Sequence, residues 1–380
     1  MTRRSAGRIE VARALWYTKP GAVEIRNAAL GPLQPGQVTI RSLFSGVSRG
    51  TERLVLSGLV PVAEHDRMRA PMQEGSFPFP VKYGYCAVGT IEAGPKPLIG
   101  RQVFCLHPHQ TLFQAPLDRV TLLPEGFPPR RATLAANMET ALNALWDSGA
   151  GPADRIVVVG AGIVGLLVAY LAARLPGAEV TVIDPVEARR ALVESFGCSF
   201  AGPSQFPSPL AGEVARQAGG LPSARGAGGG KATAKTVETA PPPPLRGTSP
   251  ARREEKQAAD IVFHTSASEA GLATAIASAG FEATIVELSW YGDKKVAVPL
   301  GGPFHSQRLK LISSQVGHVS AGRRPRWDYP RRMQSALALL ADDRLDVLLT
   351  AEIAFDDAPA KLPGLLAADA PGLAPVIRYE

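Results

Sequence analysis

The first third of the chain alternates between apolar and polar positions, and glycine and proline interrupt the alternation. Residues 23–26 read Val-Glu-Ile-Arg, and a Pro-Gly pair at 35–36 introduces the run at 37–43. A period of two is typical of a half-buried strand, and Pro and Gly mark the turns between strands. The pattern therefore predicts strands and turns from about residue 12 to residue 123, which together form a mainly β domain.

The pattern changes near residue 129, where apolar residues take up a helical spacing that continues to residue 148. From residue 155 strand and helix patterns alternate, and the apolar run at 156–159 is typical of a parallel strand buried on both faces. Further strands are predicted at 180–184, 259–264, 283–288 and 308–314, and helices at 163–174, 187–196 and 331–340. This alternation predicts an α/β domain with a doubly wound parallel sheet. The strand-like residues 375–380 are expected to return to the first domain.

Residues 203–257 interrupt the alternation of strands and helices. The segment contains three consecutive glycines at 228–230 and four consecutive prolines at 241–244, with almost no aromatic residues. Such a composition cannot bury enough apolar area to offset the entropy lost on ordering. It predicts a disordered insertion on the surface of the parallel-sheet domain, and a regulatory loop is the functional alternative.

Charge and composition exclude several classes of protein. The net charge is +7, but eight basic and only four acidic residues lie in the insertion, so the excess of positive charge is concentrated there. No interleaving of basic and aromatic residues indicates a nucleic-acid surface. No apolar run is long enough for a transmembrane helix, and the charged N-terminus lacks the apolar core of a secretory signal.

The three cysteines form no CxxC pair. Their odd number and wide spacing favour a reducing compartment and exclude a structural zinc site made of four cysteines. We therefore expect a cytoplasmic protein that acts on a small molecule and binds neither nucleic acid nor a membrane.

A glycine-rich loop at 160–165, Gly-Ala-Gly-Ile-Val-Gly, follows a predicted strand and opens a predicted helix. In such a GxGxxG fingerprint Gly160 allows the tight turn, Gly162 lets the backbone approach a pyrophosphate, and Gly165 lets the helix pack on the strand. The start of the helix, at Ile163 and Val164, offers N–H groups and a positive dipole end to phosphates. The context on both sides predicts a dinucleotide-binding loop.

An acidic residue, Asp184, stands at the end of the second strand of this domain. It lies about twenty residues beyond the glycines, where a carboxylate binds the ribose hydroxyls of NAD. The same carboxylate would repel the 2′-phosphate of NADP. Because Arg189 and Arg190 lie nearby in the sequence, NADP stays an alternative to NAD.

A β domain, a GxGxxG sheet domain and a return to the first domain together resemble the medium-chain dehydrogenase/reductase superfamily. The resemblance implies a GroES-like, mainly β catalytic domain at 1–128 and a Rossmann NAD-binding domain at 129–315, with the insertion at 203–257. It also implies that residues 316–380 return to the catalytic domain, and that the protein is a homodimer.

The residues that hold catalytic zinc in the zinc-dependent members of that superfamily are replaced in this chain. Gly-Val-Ser at 46–48 stands where those members have a Gly-x-Cys ligand motif, and Tyr85 stands where they have a ligand histidine. The region of the third ligand, around Asn137, has no cysteine. Catalytic zinc needs about three protein ligands, and Cys86 alone cannot rebuild the site. The sequence therefore predicts no metal site and no bound zinc.

The block Ser-Arg-Gly-Thr-Glu at 48–52 is similar to a block of the bacteriochlorophyllide a dehydrogenases, which use NAD to oxidise a hydroxyethyl group on a macrocycle. The chain departs from those enzymes at Cys86, where they tend to have glutamate. The resemblance implies oxidation of an alcohol and suggests a bulky, apolar substrate.

Without zinc, hydrogen-bond donors must polarise the substrate oxygen. The resemblance places Tyr85 where the metal would sit, and Ser48 and Thr51 are expected to relay the proton. In the alternative interpretation, Tyr85 only fills the space that zinc has left. Arg49 is expected to face the pyrophosphate, and a solvated surface arginine is the alternative.

Other polar residues are weaker candidates. Glu52 is expected to orient Arg49, to act as a base or, most simply, to make a structural pair. His107 and His109 share one face of a strand end, but no third metal ligand accompanies them. His65 is expected to be exposed to solvent, and Cys105 is expected to lie in the core.

The sequence leads to three hypotheses of function. The first is a zinc-independent, NAD-linked dehydrogenase that acts on a secondary alcohol or its ketone. The second is a reductase of quinones or activated double bonds on the same scaffold. The third is a catalytically silent dinucleotide-binding protein.

Overall fold

The structure, a computed structural model, describes residues 11–205 and 258–380. All of the predicted insertion except residues 203–205 lies outside these ranges, as does the basic N-terminal segment. Residues 203–205 form a short 3-10 turn after a strand. The prediction of a disordered insertion therefore falls on residues outside the described ranges.

The described ranges contain 17 strands and eight α-helices. The strands are β1 (Ala12–Lys19), β2 (Ala22–Ala28), β3 (Gln37–Gly46), β4 (Glu74–Gly75), β5 (Val81–Lys82), β6 (Ala87–Ala93), β7 (Gln102–Cys105), β8 (Leu112–Pro116), β9 (Val120–Leu122), β10 (Arg155–Val159), β11 (Glu179–Ile183), β12 (Ser199–Ala201), β13 (Ala259–His264), β14 (Ala279–Glu287), β15 (Lys310–Ser313), β16 (Ala351–Ala354) and β17 (Pro375–Arg378). The helices are α1 (Arg49–Ser57), α2 (Pro129–Ala132), α3 (Ala135–Ser148), α4 (Ile163–Ala172), α5 (Arg190–Ser195), α6 (Glu269–Ser278), α7 (Tyr329–Leu339) and α8 (Ala358–Leu365). Within the described part of the chain, no helix is long and apolar enough to cross a membrane.

Mostly antiparallel strands form the first domain. One sheet has the order β2-β1-β5-β4, and a larger sheet has the order β16-β17-β3-β6-β7-β9, with β8 also paired to β3. Strand β17 lies between β16 and β3, and Ile377 pairs with Ser45. The chain therefore returns to the first domain through β16 and β17, as its strand-like end predicts. The domain boundaries after residues 128 and 315 stay predictions.

The second domain is built on a parallel sheet with the strand order β12-β11-β10-β13-β14-β15. Val158 in β10 pairs with Val182 on one side and Phe263 on the other, and all three side chains are buried. Helices α4 and α6 pack against β10. The strand order reverses between β10 and β13, and in open α/β sheets this switch point opens a crevice at the carboxyl ends of the strands.

Helix α1 lies in a region that the sequence pattern assigned to strands and turns. Ser48 occupies its N-cap position, and Gly58 ends it in the left-handed conformation with φ +70°, donating to the carbonyls of Leu54 and Val55. Leu54 and Val55 are buried on the face that packs against the domain. The prediction of strands and turns from residue 12 to residue 123 therefore missed this helix, because tertiary packing of an apolar face outweighs the turn-forming residues that open the helix.

A buried arginine connects helix α7 to helix α3. Arg332 donates from Nε to Glu139 Oε1 at 2.9 Å and from Nη1 to Asn143 Oδ1 at 2.7 Å. It also donates to the carbonyls of His318 at 3.1 Å and Val316 at 2.6 Å. Both Arg332 and Glu139 are buried. A buried ion pair with three further hydrogen bonds therefore helps to hold α7 against α3 and the segment before α7.

Candidate functional site

The glycine loop begins directly after β10, at the switch point of the parallel sheet. Gly160 has φ +108°, a conformation that favours glycine. A Cβ added to Gly165 would lie 1.9 Å from the carbonyl oxygen of Gly160, so helix α4 contacts the loop backbone directly. Two of the three glycines are thus required by turn geometry and by close packing, as the fingerprint predicts.

The outer face of the loop has a different character. A Cβ added to Gly162, the N-cap residue of α4, would meet no atom within 4 Å. The first N–H groups of α4, at Ile163 and Val164, have no partner within the helix because they belong to its first turn. An open backbone surface next to these N–H groups fits a pyrophosphate, since a helix N-terminus attracts anions.

Asp184 has more partners than the sequence indicated. Its side chain is buried and accepts hydrogen bonds from the backbone N–H of Ala161 at 2.7 Å and of Val186 at 2.9 Å. It also pairs with Arg189, whose Nη1 lies 3.0 Å from Oδ2. A carboxylate has about four acceptor positions, so about one is left for a ribose hydroxyl. Asp184 therefore holds the glycine loop in place, in addition to the predicted contact with a ribose.

Arg49 is partly buried and hydrogen-bonded to backbone carbonyls, so it is not a solvated surface residue. Its contact with a pyrophosphate stays a prediction. Its guanidinium donates to the carbonyls of Gly372 at 2.6 Å and Ala370 at 2.7 Å. Burial and the neighbouring charges of Arg53 and Arg189 lower its pKa. Arg49 thus ties helix α1 to the segment before β17, and it lies near the arginine that pairs with Asp184.

Tyr85, Ser48 and Thr51 come together in the structure. Ser48 occupies the N-cap position of α1 and Thr51 lies in its first turn, while Tyr85 lies between β5 and β6. Burial and the neighbouring Cys86 raise the pKa of Tyr85, although hydrogen bonds with Ser48 and Thr51 offset part of this effect. Its phenol is therefore neutral near pH 7 and serves as a hydrogen-bond donor, not as a base.

Helix α1, which begins after Ser48 and contains Thr51, lies against the parallel-sheet domain. A Cβ added to Gly292, in the loop after β14, would lie 2.7 Å from the carbonyl oxygen of Leu59, just beyond α1. The charge of Arg49 on α1 also acts on Arg189 beside the glycine loop. Helix α1 therefore borders the same edge of the sheet as the loop that fits a pyrophosphate.

A buried hydrogen-bond network beneath the cluster was missed by sequence reasoning. Glu52 is fully buried and accepts from Tyr17 Oη at 2.6 Å and from the backbone N–H of Ser48 at 2.7 Å. His109 Nε2 lies 3.0 Å from Glu52, and its Nδ1 lies 2.7 Å from Ser45 Oγ. The expectation that Glu52 orients Arg49 was wrong, and the simpler expectation of a structural pair describes it better. The network positions the Ser48 end of α1.

The two histidines that the sequence places together have separate partners. His107 stacks on Phe113 with ring centroids 3.8 Å apart, and burial lowers its pKa to about 3. His109 belongs to the Glu52 network. His65 is half-buried against Phe77 instead of exposed, with Nε2 lying 3.1 Å from the carbonyl of Val60. Cys105 is buried in the core, as predicted.

The residues at the predicted zinc positions are surrounded by the following groups. Cys86 is buried in the core, where burial and then Glu52 and Glu139 raise the pKa of its thiol. Across residues 11–205 and 258–380, no group of three or more His, Cys, Asp or Glu side chains is arranged to hold a metal ion. Ser48 and Tyr85, which stand at two of the three ligand positions, offer only hydroxyl groups, and these are poor ligands for catalytic zinc.

Comparison with known proteins identifies the fold. No protein-family model matches the chain. The chain is similar to the 2R,3R-butanediol dehydrogenase of Bacillus subtilis, with a TM-score of 0.67 and 15% identity over 97% of this chain and 100% of that one. It is also similar to the galactitol-1-phosphate dehydrogenase of Escherichia coli, with a TM-score of 0.69 and 15% identity over 96% and 99% of the two chains.

A third solved structure has a cofactor bound. It is a short chain alcohol dehydrogenase of Escherichia coli complexed with NADH, with a TM-score of 0.67 and 14% identity over 97% of this chain and 99% of that one. All three likenesses extend over nearly the whole of both chains. The chain therefore has the fold of the alcohol dehydrogenase-like proteins, a GroES-like, mainly β domain joined to a Rossmann domain with a doubly wound parallel sheet.

Proposed function

We propose that the chain is a zinc-independent, NAD(P)-dependent oxidoreductase that transfers a hydride between the nicotinamide and a secondary alcohol or ketone. The observation that carries the proposal is the proximity of Tyr85 to Ser48 and Thr51 at the start of helix α1, which borders the same sheet edge as the glycine loop. The fold and the glycine loop support a nicotinamide cofactor. Arg189 beside Asp184 is compatible with either NAD or NADP.

The residues of the cluster divide the chemistry between them. A bound nicotinamide supplies the site that accepts or releases the hydride. Tyr85 donates a hydrogen bond to the substrate oxygen and stabilises the charge that develops there. Ser48 and Thr51, whose hydroxyls act on the Tyr85 phenol, carry the proton between that oxygen and solvent. Glu52 holds the backbone of Ser48, so the relay keeps its geometry.

The proposal extends to the class of substrate and to the oligomeric state. The resemblance of the block at 48–52 to the pigment dehydrogenases supports a bulky, apolar alcohol. Strand β15 is an edge strand of the parallel sheet, and we propose that it forms the homodimer contact.

A panel of alcohols, ketones, quinones and enones with NADH and NADPH tests the function. Turnover of quinones or enones alone would favour a reductase, and cofactor binding without turnover would favour a silent binding protein.

Replacing Tyr85 with phenylalanine is expected to lower kcat by about 10²-fold, the scale for losing one donor to a developing oxyanion. The Kd of NADH should not change, because the phenol contacts the substrate and not the cofactor. Tyr83→Phe is the matched control, since Tyr83 is buried and packs edge-to-face on Tyr85 with ring centroids 6.0 Å apart. An unchanged kcat in Tyr85→Phe, or an equal loss in both variants, would show that Tyr85 only fills space.

The purified protein is expected to contain far less than one zinc ion per chain, and chelators should leave its turnover unchanged. The reason is that Ser48 and Tyr85 stand at two ligand positions and neither offers a thiolate or an imidazole. Elemental analysis before and after treatment with 1,10-phenanthroline measures both quantities. Stoichiometric zinc that leaves together with activity would return the protein to the zinc-dependent class.

A further inference from the structure

A relay of hydroxyl, imidazole and carboxylate groups lies at the carboxyl ends of β13 and β14. His264, the last residue of β13, is fully buried, and its Nε2 lies 2.7 Å from Ser266 Oγ. Its Nδ1 lies 2.7 Å from Oε2 of Glu287, the last residue of β14. Ser266 itself is exposed. A buried histidine and its carboxylate thus support one serine at the surface of the sheet edge.

The hydrogen bonds of the relay fix which way each proton points. Burial alone would raise the pKa of Glu287, but its hydrogen bonds with His264 and Ser289 outweigh burial and lower the pKa. In the tautomer that donates its Nδ1–H to the carboxylate of Glu287, His264 has Nε2 as an acceptor for the hydroxyl proton of Ser266. Ser268 Oγ, at 2.9 Å, occupies one lone pair of Ser266. The remaining lone pair of Ser266 Oγ can accept one further hydrogen bond.

Ser266 also lies directly beside the glycine loop. Thr265 Oγ1 donates to the carbonyl of Gly160 at 2.9 Å, and a Cβ added to Gly160 would lie 3.0 Å from the backbone nitrogen of Ser266. In the strand order, β10 lies between β11, which leads to Asp184, and β13, which leads to Ser266. A dinucleotide held by its pyrophosphate at the loop would therefore have Asp184 on one side and Ser266 on the other.

We propose that Ser266 accepts a hydrogen bond from a hydroxyl of the nicotinamide-side ribose, and that His264 and Glu287 hold Ser266 in this acceptor orientation. The inference rests on the proposed function as a dinucleotide-dependent oxidoreductase. An acceptor backed by an ionised carboxylate selects a hydrogen-bond donor, such as a ribose hydroxyl, over a phosphate oxygen. Ser266 is thus a binding residue, and His264 and Glu287 are positioning residues.

The same three groups also have the order of a serine nucleophile, a base and an acid. Acyl transfer would in addition need donors for the oxyanion, commonly including the N–H that follows the serine. Here the N–H of Ala267 donates to Ser289 Oγ at 3.0 Å. This engagement favours ligand binding over nucleophilic catalysis.

Calorimetric titration with NADH, ADP-ribose and ADP tests the ribose contact. ADP-ribose keeps the second ribose, and ADP lacks it. Ser266→Ala is expected to raise the Kd of NADH and of ADP-ribose by about fivefold, the scale of one neutral hydrogen bond. The Kd of ADP should not change. Ser195→Ala, at an exposed serine of α5 in the same domain, is the matched control and should bind all three ligands like the wild type.

A double-mutant cycle tests the positioning role. His264→Gln should raise the Kd of NADH in the wild-type background. It should have no further effect on that Kd in the Ser266→Ala background, because His264 acts through that serine. Additive effects would show that His264 is merely structural. If His264→Gln does not fold, the titrations of Ser266→Ala by themselves still test the ribose contact.

Each remaining outcome separates the relay from the proposed function. Wild-type protein that binds NADH while Ser266→Ala binds it equally well would overturn the ribose contact only. An equal loss for ADP would show that the contact is not with the second ribose. Wild-type protein that binds none of the three ligands would overturn the proposed function itself. Labelling of Ser266 by a fluorophosphonate would establish a nucleophile in its place.

Discussion

Replacing Gly165 with alanine is expected to lower the free energy of unfolding by about 2–3 kcal/mol, the upper range for overpacking a core. The added methyl group would lie 1.9 Å from the carbonyl oxygen of Gly160, which is a backbone atom and cannot rotate away. Helix α4 must therefore move off the loop, and NADH binding should be lost with the geometry of the loop. Urea unfolding and calorimetric titration measure the two effects.

Gly162→Ala is the matched control for that experiment. Its methyl group would meet no atom within 4 Å, so the apoprotein should unfold at the same urea concentration as the wild type. NADH should nevertheless bind more weakly, since the methyl group enters the space that the pyrophosphate is proposed to occupy. Unchanged NADH affinity in Gly162→Ala would place the cofactor elsewhere, and unchanged stability in Gly165→Ala would contradict the close contact of loop and helix.

Replacing Arg332 with methionine is expected to destabilise the protein by about 3–5 kcal/mol, the usual cost of removing one partner of a buried ion pair. Glu139 would be left without its cation, and Asn143 would lose the donor at 2.7 Å. The carbonyls of Val316 and His318 would lose their donor as well. Chemical denaturation monitored by circular dichroism measures the change.

The neighbouring Arg331 provides a control of the same size and charge. It is exposed, and its guanidinium lies over the ring of Trp327, 4.0 Å from the centroid. Arg331→Met should change stability by less than about 0.5 kcal/mol, as surface substitutions usually do. Adding Glu139→Leu to Arg332→Met should recover part of the loss, because the uncompensated carboxylate is then removed. Equal stability of the two arginine variants would show that the buried pair does not hold α7.

The parallel-sheet domain could be predicted because its strands are buried on both faces. The apolar run at 156–159 corresponds to β10, Arg155–Val159, and the glycine loop follows it as expected. The boundaries of other elements differ from the prediction. The helix predicted at 187–196 is a 3-10 turn at Glu187–Arg189 followed by Arg190–Ser195. Strand β14 begins at Ala279 instead of residue 283, because backbone hydrogen bonding, and not the apolar pattern, determines where a strand starts.

The candidate site could be predicted only where its residues are close together in the sequence. Ser48 and Thr51 share one helix, and Tyr85 was identified through the zinc positions that the resemblance supplied. The Glu52 network joins Tyr17, Ser45, His109 and Tyr379, which lie on separate segments. The relay of His264, Ser266 and Glu287 depends on parallel pairing that brings two strand ends together. No local pattern reveals such contacts, because they form only when distant segments pack.

The central place of β17 in the first sheet has a consequence for how the chain folds. Strand β3 has β17 as its neighbour on one edge, and Tyr379 Oη lies 2.8 Å from Ser45 Oγ in the buried network. These pairings join residues 44–46 to residues 376–378. The whole parallel-sheet domain lies between these residues in the sequence. Contacts of such wide sequence separation are slow to close. During synthesis, the parallel-sheet domain can therefore complete its core before β17 emerges from the ribosome. Until then, the edge of β3 that pairs with β17 stays unpaired.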